Sequence, residues 1–237
     1  RNEGYLAKVG EPLIQFYGYK TCGVWNSAEE IAANPHFSDD APGGIRIVDT
    51  NNDGSLTPED RVALGTPYPD FTWGITNTFQ IKDFDISFLI QGVQGITVLN
   101  GDVYYNETKK WNKKYTKNRW VSAEHPGDGK TPYQNVKTGH DLMLTDYPLQ
   151  NASYACLRNF TVGYTLPATA ARKIKLSGVR FYVSGSNLLY IWGSGYKGIN
   201  PESRMTSGNY SSAMISGYQR GGFPLTSTIS AGFDINF

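Results

Sequence analysis

A hairpin written into residues 71–91 constrains this chain more than any other feature. Phe71, Trp73, Ile75, Phe79 and Ile81 occupy odd positions, whereas Thr72, Gly74, Thr76, Thr78 and Gln80 occupy even ones. Only Asn77 interrupts the apolar set. After Lys82-Asp83 the alternation resumes, with Phe84, Ile86, Phe88 and Ile90 against Asp85, Ser87, Leu89 and Gln91. Side chains of an extended strand point alternately to its two faces, so this pattern predicts two strands with one apolar and one polar face. Each run has about the 9–11 residues that a tilted strand needs to cross a bilayer.

Three further segments alternate in the same way. In 154–166, Phe160, Val162, Tyr164 and Leu166 share a face opposite Asn159, Thr161, Gly163 and Thr165. Arg158 falls on the apolar parity, so either it sits above the hydrocarbon or the register shifts there. In 179–191, Val179, Phe181, Val183, Leu189 and Ile191 oppose Arg180, Tyr182, Ser184 and Ser186. In 229–237, Ile229, Ala231, Phe233, Ile235 and Phe237 oppose Ser230, Gly232, Asp234 and Asn236. Residues 12–20 are expected to add a sixth strand of poorer alternation. Short helices are expected at 27–33 and 168–175.

The connections differ in length by turns. Those at 21–70, 96–153 and 192–225 are long; those at 82–83 and 167–178 are short. Bacterial outer-membrane barrels have long external loops and tight periplasmic turns. The expected fold is therefore all-β: about six strands of a large antiparallel transmembrane β-barrel. The alternative is a secreted, calcium-stabilised, carbohydrate-binding β-sandwich, which would bury the apolar faces in a core. Composition fits a half-apolar strand architecture, with 39% hydrophobic residues, 14% aromatics and 26 glycines. No apolar run of about 18 residues is present, so no transmembrane helix is expected. Twenty-two basic against 21 acidic residues argue against a nucleic-acid partner. Cys22 and Cys156 are too few for a disulfide framework and are expected to be unpaired. The chain opens on Arg1 without a signal-peptide pattern, which reads as a mature product or a portion of something longer.

One loop carries a metal-type spacing. Asp49, Asn51, Asp53 and Asp60 stand at positions 1, 3, 5 and 12 of a loop with Gly54 at position 6. Ser55 at position 7 would offer its carbonyl, and Thr57 at position 9 a water. This is the ligand order of a calcium loop. The last ligand is Asp rather than Glu, and the residues before Asp49 do not look helical. The expectation is a structural Ca²⁺ site, or Mg²⁺ in its place, bracing a surface loop. The competing reading is a loop of Asx turns that binds nothing.

Catalytic constellations are missing from the sequence. His36, His125 and His140 lie in loops without ligand spacing, and no nucleophile elbow or phosphate loop occurs. The pair Asp39-Asp40 could in principle serve a glycosidase but reads better as a solvated charge cluster. No enzymatic activity is expected. Tyr104, Tyr105, Trp111, Tyr115 and Trp120 could stack on sugars or peptides, form an interfacial girdle or pack loops together.

The last eight residues form a motif of their own: polar Ser230, then Gly232, apolar Ile235 and terminal Phe237. This resembles the C-terminal signal read by the outer-membrane assembly machinery, so Gly232, Ile235 and Phe237 are the candidate assembly residues.

Taken in order, several segments resemble SusC/RagA-type TonB-dependent transporters of Bacteroidetes. They include Phe16-Tyr-Gly-Tyr-Lys20, Pro42-Gly-Gly-Ile-Arg46, the 49–60 loop and Gly65-Thr-Pro-Tyr-Pro-Asp-Phe71. They continue with Asn118-Arg-Trp120, Leu157-Arg-Asn-Phe-Thr-Val-Gly-Tyr-Thr-Leu-Pro167, Ser184-Gly-Ser-Asn-Leu-Leu189 and Asn200-Pro-Glu202. The resemblance implies a plugged barrel of roughly 22 strands in outer-membrane lipid. It implies import of oligosaccharides or oligopeptides, powered through TonB, with a SusD-like surface lipoprotein as partner. The plug and the N-terminal barrel strands that would complete such a barrel are not in this stretch. Cys22 stands where the family commonly has an acidic residue, and His125 where Asn is commoner.

Overall fold

The computed structural model describes residues 4–103, 118–133, 142–193, 195–203 and 217–237. Thirteen strands are assigned within them: β1 (Tyr5–Leu6), β2 (Gln15–Gly18), β3 (Thr21–Val24), β4 (Ile45–Ile47), β5 (Val62–Gly65), β6 (Phe71–Ile81), β7 (Phe84–Gln94), β8 (Thr97–Asn100), β9 (Leu149–Asn151), β10 (Tyr154–Thr165), β11 (Gly178–Trp192), β12 (Tyr218–Gln219) and β13 (Thr228–Asn236).

The long strands form one sheet in the order β6-β7-β10-β11-β13, antiparallel throughout. Each is hydrogen-bonded to its predecessor in this meander. The expected tight turn is found at Lys82-Asp83, where Lys82 takes φ 53° so that Ile81 and Phe84 can pair. The turn between β10 and β11 holds a short helix, Ala168–Lys173. Both lie at one end of the sheet, and the three long connections leave from the other.

The alternation expected of the strands is what sorts their faces. Phe71, Ile75, Phe79, Phe84, Phe181, Val183, Leu189, Ile191, Ile229 and Phe233 are all exposed on one side. Several are more than half accessible, including Ile229 at 75% and Phe233 at 66%. A sandwich would cover such a face with a second sheet, and among the described residues none does. The sandwich alternative therefore fails. A broad apolar sheet face of this kind is the surface a barrel turns to lipid.

Arg158 produces the register shift that was one of its two expected outcomes. The pairing of β10 with both neighbours breaks between Leu157 and Asn159. Beyond the break Ala155 and Leu157 take over the outward parity from Phe160 and Val162, since they pair with Ile191 and Leu189.

The sixth expected barrel strand is a correction. Gln15–Gly18 pairs with β1 on one side and β5 on the other, in a separate three-stranded sheet. With Ile14, Gln15, Phe16 and Gly18 all buried, its alternation fails because it has core on both faces. The sheet thus has five long strands.

The remaining elements build a cap at the long-loop end, and the buried apolar residues gather there. Tyr19, Ile45, Ile47 and Leu142 form one cluster, Ile96, Val98, Ala152 and Tyr196 a second, and Phe16, Leu99 and Tyr218 a third. Each cluster joins residues from at least two of the long connections. Thr21 reaches the carboxylate of Asp146 through its amide at 3.0 Å and its hydroxyl at 2.6 Å. The third connection enters through β12, which runs parallel to β8. The expected helix at 27–33 is present as Ala28–Ala32, with the Ser27 hydroxyl capping the Glu30 amide.

Candidate functional site

Three features of this arrangement bear on function: the polar face of the sheet, the cap, and the 49–60 loop.

The polar face carries an ion-pair ladder near the short-turn end. Arg180 holds Asp85 with two parallel hydrogen bonds, 3.0 Å from Nε and 2.7 Å from Nη2, and reaches Asp234 with Nη1 at 3.2 Å. Asp85 belongs to β7 and Arg180 to β11, with β10 between them. The residue of β10 that lies beneath the pair is Gly163. A Cβ there would stand 2.4 Å from Asp85 Oδ1 and 2.6 Å from Arg180 Nη2. The missing side chain is what lets the guanidinium cross the strand. In the same row, the Tyr182 ring lies across Gly232, whose added Cβ would meet the Tyr182 hydroxyl at 2.5 Å. Fork-to-fork pairing of this kind is stronger and more directional than a single contact.

In the cap, Trp25 is fully buried. Its indole N–H donates to Asp40 at 3.3 Å, and the Arg46 guanidinium lies 4.8 Å over its ring. Arg46 in turn donates to Glu30 and Asn34, each at 2.8 Å. Trp120 donates to Asn26 at 3.1 Å and packs edge-on against Tyr133 at 6.0 Å. It is therefore a packing residue between loops. Tyr104, Tyr105, Trp111, Tyr115 and His140 lie outside the described residues. Cys22 and Cys156 are both free thiols, the first exposed in the cap and the second buried in β10. A cavity of about 410 Å³ opens beside Cys22, between Thr21, Asp128, Lys130 and Tyr147.

The 49–60 loop is folded by its own side chains. Asp49 Oδ2 accepts the Gly54 amide at 2.8 Å, Asn51 Oδ1 the Asp53 amide at 3.0 Å, and Asp53 Oδ1 the Ser55 amide at 2.8 Å. Gly54 sits at φ 85°, which the sharp turn requires and a Cβ would disfavour. Asp60, the expected last ligand, is likewise engaged by backbone amides. Its Oδ1 accepts the Thr50 amide at 2.8 Å and the Asn51 amide at 3.4 Å, and its Oδ2 the Thr57 amide at 2.8 Å. It is fully buried, and with Thr57 it completes a capping box on the 3-10 turn Pro58–Asp60. Burial alone would raise its pKa; the three backbone amides outweigh burial and hold the carboxyl below its ordinary value. The short Asp side chain in place of Glu reaches the backbone directly.

The candidate cation ligands remain Asp49, Asn51, Asp53, the Ser55 carbonyl and Asp60, whose side chains, Ser55 aside, each also accept a backbone amide. Among the described residues no group of three or more His, Cys, Asp or Glu gathers as a metal site. One atom is unaccounted for: Asp49 Oδ1 is buried without a hydrogen-bond partner.

The terminal-strand residues fall on the two faces as alternation requires. Ile235 and Phe237 are exposed on the apolar side, whereas Gly232 lies on the polar side under Tyr182. The side-chain pairings that sequence reading missed are Arg180 with Asp85, and Arg46 with Trp25. Each partner sits on the expected face or loop, but nothing local announces that residues 95 positions apart will meet.

No family profile matches the chain. Known proteins do. It is 31% identical over 239 residues to TonB-dependent receptor P26 of Formosa agariphila, covering 97% of this chain and 23% of that protein. It is 30% identical over 240 residues to TonB-dependent receptor P3 of the same organism, with 98% and 23% covered. With TonB-dependent receptor SusC of Bacteroides thetaiotaomicron it shares 27% identity over 157 residues, 66% of this chain and 15% of SusC. Among solved structures, the RagAB peptide transporter superposes with a TM-score of 0.73 at 19% identity, over 100% of this chain and 24% of that one. The chain therefore spans about a quarter of the length of the relatives it matches. With a likeness to these receptors that runs along nearly its whole length, and a five-stranded antiparallel sheet that shares the fold of the RagAB barrel, the chain belongs to the TonB-dependent receptors.

Proposed function

We propose that this chain supplies part of the wall and of the external cap of an outer-membrane importer. Its cargo would be oligosaccharides or oligopeptides, drawn in with energy from TonB and enclosed by a SusD-like lipoprotein. The observation that carries the reading is the two-faced sheet: large apolar side chains exposed on one side, and charged or small side chains on the other. The named RagAB relative transports peptides, and SusC is a receptor of the same type; neither decides the cargo here. The test is a tagged full-length protein in its native host. Recovery in outer-membrane fractions with a co-purifying lipoprotein, and loss of oligomer uptake on deletion of the gene, are expected. Recovery of the chain in the soluble fraction without detergent would end the proposal. In the same reading, Gly232, Ile235 and Phe237 direct barrel assembly, and Phe237→Ala is expected to lower the inserted amount.

A second observation favours a Ca²⁺ ion in the 49–60 loop, held by Asp49, Asn51, Asp53, the Ser55 carbonyl and Asp60. It is the buried, unpartnered Asp49 Oδ1, since an unpaired buried carboxylate oxygen is costly without a proton donor or a cation. The ion's role would be structural. Metal analysis of the purified protein is expected to find calcium that disappears when Asp49 and Asp53 are both changed to Ala, with looser order in residues 21–70. Unchanged ion content in that variant would refute the site.

A further inference from the structure

The register break at Arg158 grows as it crosses the sheet. Between the same two rungs, β7 advances one residue (Leu89 to Ile90), β10 two (Asn159 to Leu157) and β11 three (Ser186 to Leu189). The surplus residues are Arg158 in β10 and the pair Asn187-Leu188 in β11, with Asn187 at φ 55°. Bulges re-aim side chains. Here the bulge takes Arg158 off the apolar parity on which simple alternation would place it, and brings its guanidinium to the polar face. There it meets four acceptors from three further segments: Gln91 at 3.2 Å, Asn187 at 2.8 Å, Tyr190 at 2.9 Å and Glu202 at 2.5 Å.

Glu202 is the informative partner. It lies ten residues beyond Trp192, the last residue of β11, yet it touches an arginine four residues in from the rim pair Tyr154–Trp192. The connection after β11 therefore turns back into the sheet's polar side instead of rising away from it. Tyr190 donates to the same Glu202 oxygen at 3.0 Å. Asn200 accepts the Glu202 amide at 2.9 Å, and Pro201 between them is fully buried. From the cap side, Gln219 donates to the carbonyls of Asn200 and Ser203 at 3.4 and 2.7 Å. Asn187 extends the network to the approach of β13, donating to the Thr226 carbonyl at 3.4 Å while its own carbonyl accepts the Ser227 hydroxyl at 2.6 Å.

We propose that Arg158 and Glu202 form a latch that holds residues 195–203 against the inner wall at the mouth of the barrel. This positions the loop as a fixed lip of the passage. The proposal rests on the barrel reading given above. Two of the latch's properties suit a positioning role. A planar guanidinium that satisfies four acceptors fixes direction as well as distance, which an ammonium cannot do. The pair is also sheltered, with side-chain accessibilities of 22% and 28%, so water and salt weaken it less than a surface pair.

The test uses the full-length transporter with its partner, inserted in lipid nanodiscs. Nitroxide labels are placed at Ile199 and Lys173 in a Cys22→Ser background, and their separation is measured by pulsed electron spin resonance. The parent is expected to give one narrow distance population. Glu202→Gln and, independently, Arg158→Lys are expected to lose it in favour of a broad one, with the heat-modifiable folded band unchanged in both. A narrow population that survives both substitutions would overturn the latch. A parent that fails to insert or to show a folded band would instead overturn the barrel reading.

Discussion

The sheet and the cap are made from the same kinds of residue and handle them in opposite ways. In the sheet, Phe181, Val183, Ile229 and Phe233 stand more than half exposed; in the cap, Trp25, Ile45, Ile96 and Val98 are almost wholly buried. Polar groups invert too. The sheet keeps Arg180, Asp85 and Asp234 on its inner face, whereas the cap places Arg46, Glu30 and Asn34 around a buried indole. The difference teaches what surrounds each region. Hydrophobic burial drives the cap as it would any water-soluble domain, because its apolar side chains leave water only by packing on one another. On the proposed reading, the sheet's outer side chains leave water by facing lipid, so backbone pairing across the strands must supply the order.

The largest effect that would break this comparison lies in the cap. Trp25→Ala empties a fully buried site and removes the ring under Arg46, and is expected to cost the cap about 3–5 kcal/mol. Proteolysis of the folded transporter should then cut between residues 21 and 70 while the sheet stays protected. If the sheet melts along with it, the two regions are one cooperative unit. Next in size is a charge on the outer face. Val183 lies mid-sheet, paired with Val162 and Ala231. Val183→Arg should cost about 2–4 kcal/mol in the bilayer and cut the inserted amount sharply. Its neighbour Ser184→Arg faces inward and should insert normally. Equal behaviour of the two variants would mean that the faces have been assigned wrongly. Asp60→Ala removes a charged acceptor from three amides and should loosen the 49–60 loop by about 2–3 kcal/mol, visible as faster hydrogen exchange at Thr50, Asn51 and Thr57.

The smallest effect is one of pH. Burial pushes the Asp146 carboxyl above its ordinary value of 3.8, and the Thr21 hydrogen bonds only partly offset this. A carboxyl with a raised folded-state pKa binds its proton more readily when folded. It therefore stabilises the cap at low pH, and that stability fades as pH rises through the raised value. Asp60 has the reverse sign: its contribution is present above 3.8 and is lost as pH falls through a value below that. As pH falls toward 3.8, then, the Thr21–Asp146 junction should gain stability before the 49–60 loop begins to lose any. Asp146→Asn should abolish the first response, and exchange rates at Thr21 report it.

The sheet was legible in the sequence because its signal is local: period two, a two-residue turn and runs of membrane length. Arg158 was legible as a conflict, since one residue on the wrong parity must be resolved by height or by a shift in register. Residues 12–20 misled for a physical reason. Alternation describes a strand with two different surroundings, and Gln15–Gly18 has core on both sides. The 49–60 spacing correctly marked a loop organised by oxygen side chains, with Gly54 at its turn. It could not show that the Asp60 carboxylate also accepts three amides, because the chain directions that decide this come from its neighbours in space. Arg180 with Asp85, and Arg158 with Glu202, depend on strand order, which no local window contains.

Gly163 carries a consequence for how this wall tolerates change. Around it the inner face is permissive, since side chains there meet water and can vary in size. At Gly163 itself even a methyl group would collide with both halves of the Arg180–Asp85 pair. A side chain there must therefore displace one half of the pair, which ties residue 163 to the Arg180–Asp85 contact. Gly163→Ala should loosen the Arg180–Asp85 pair, whereas changes at its inward neighbours Thr161 and Thr165 should leave that pair intact.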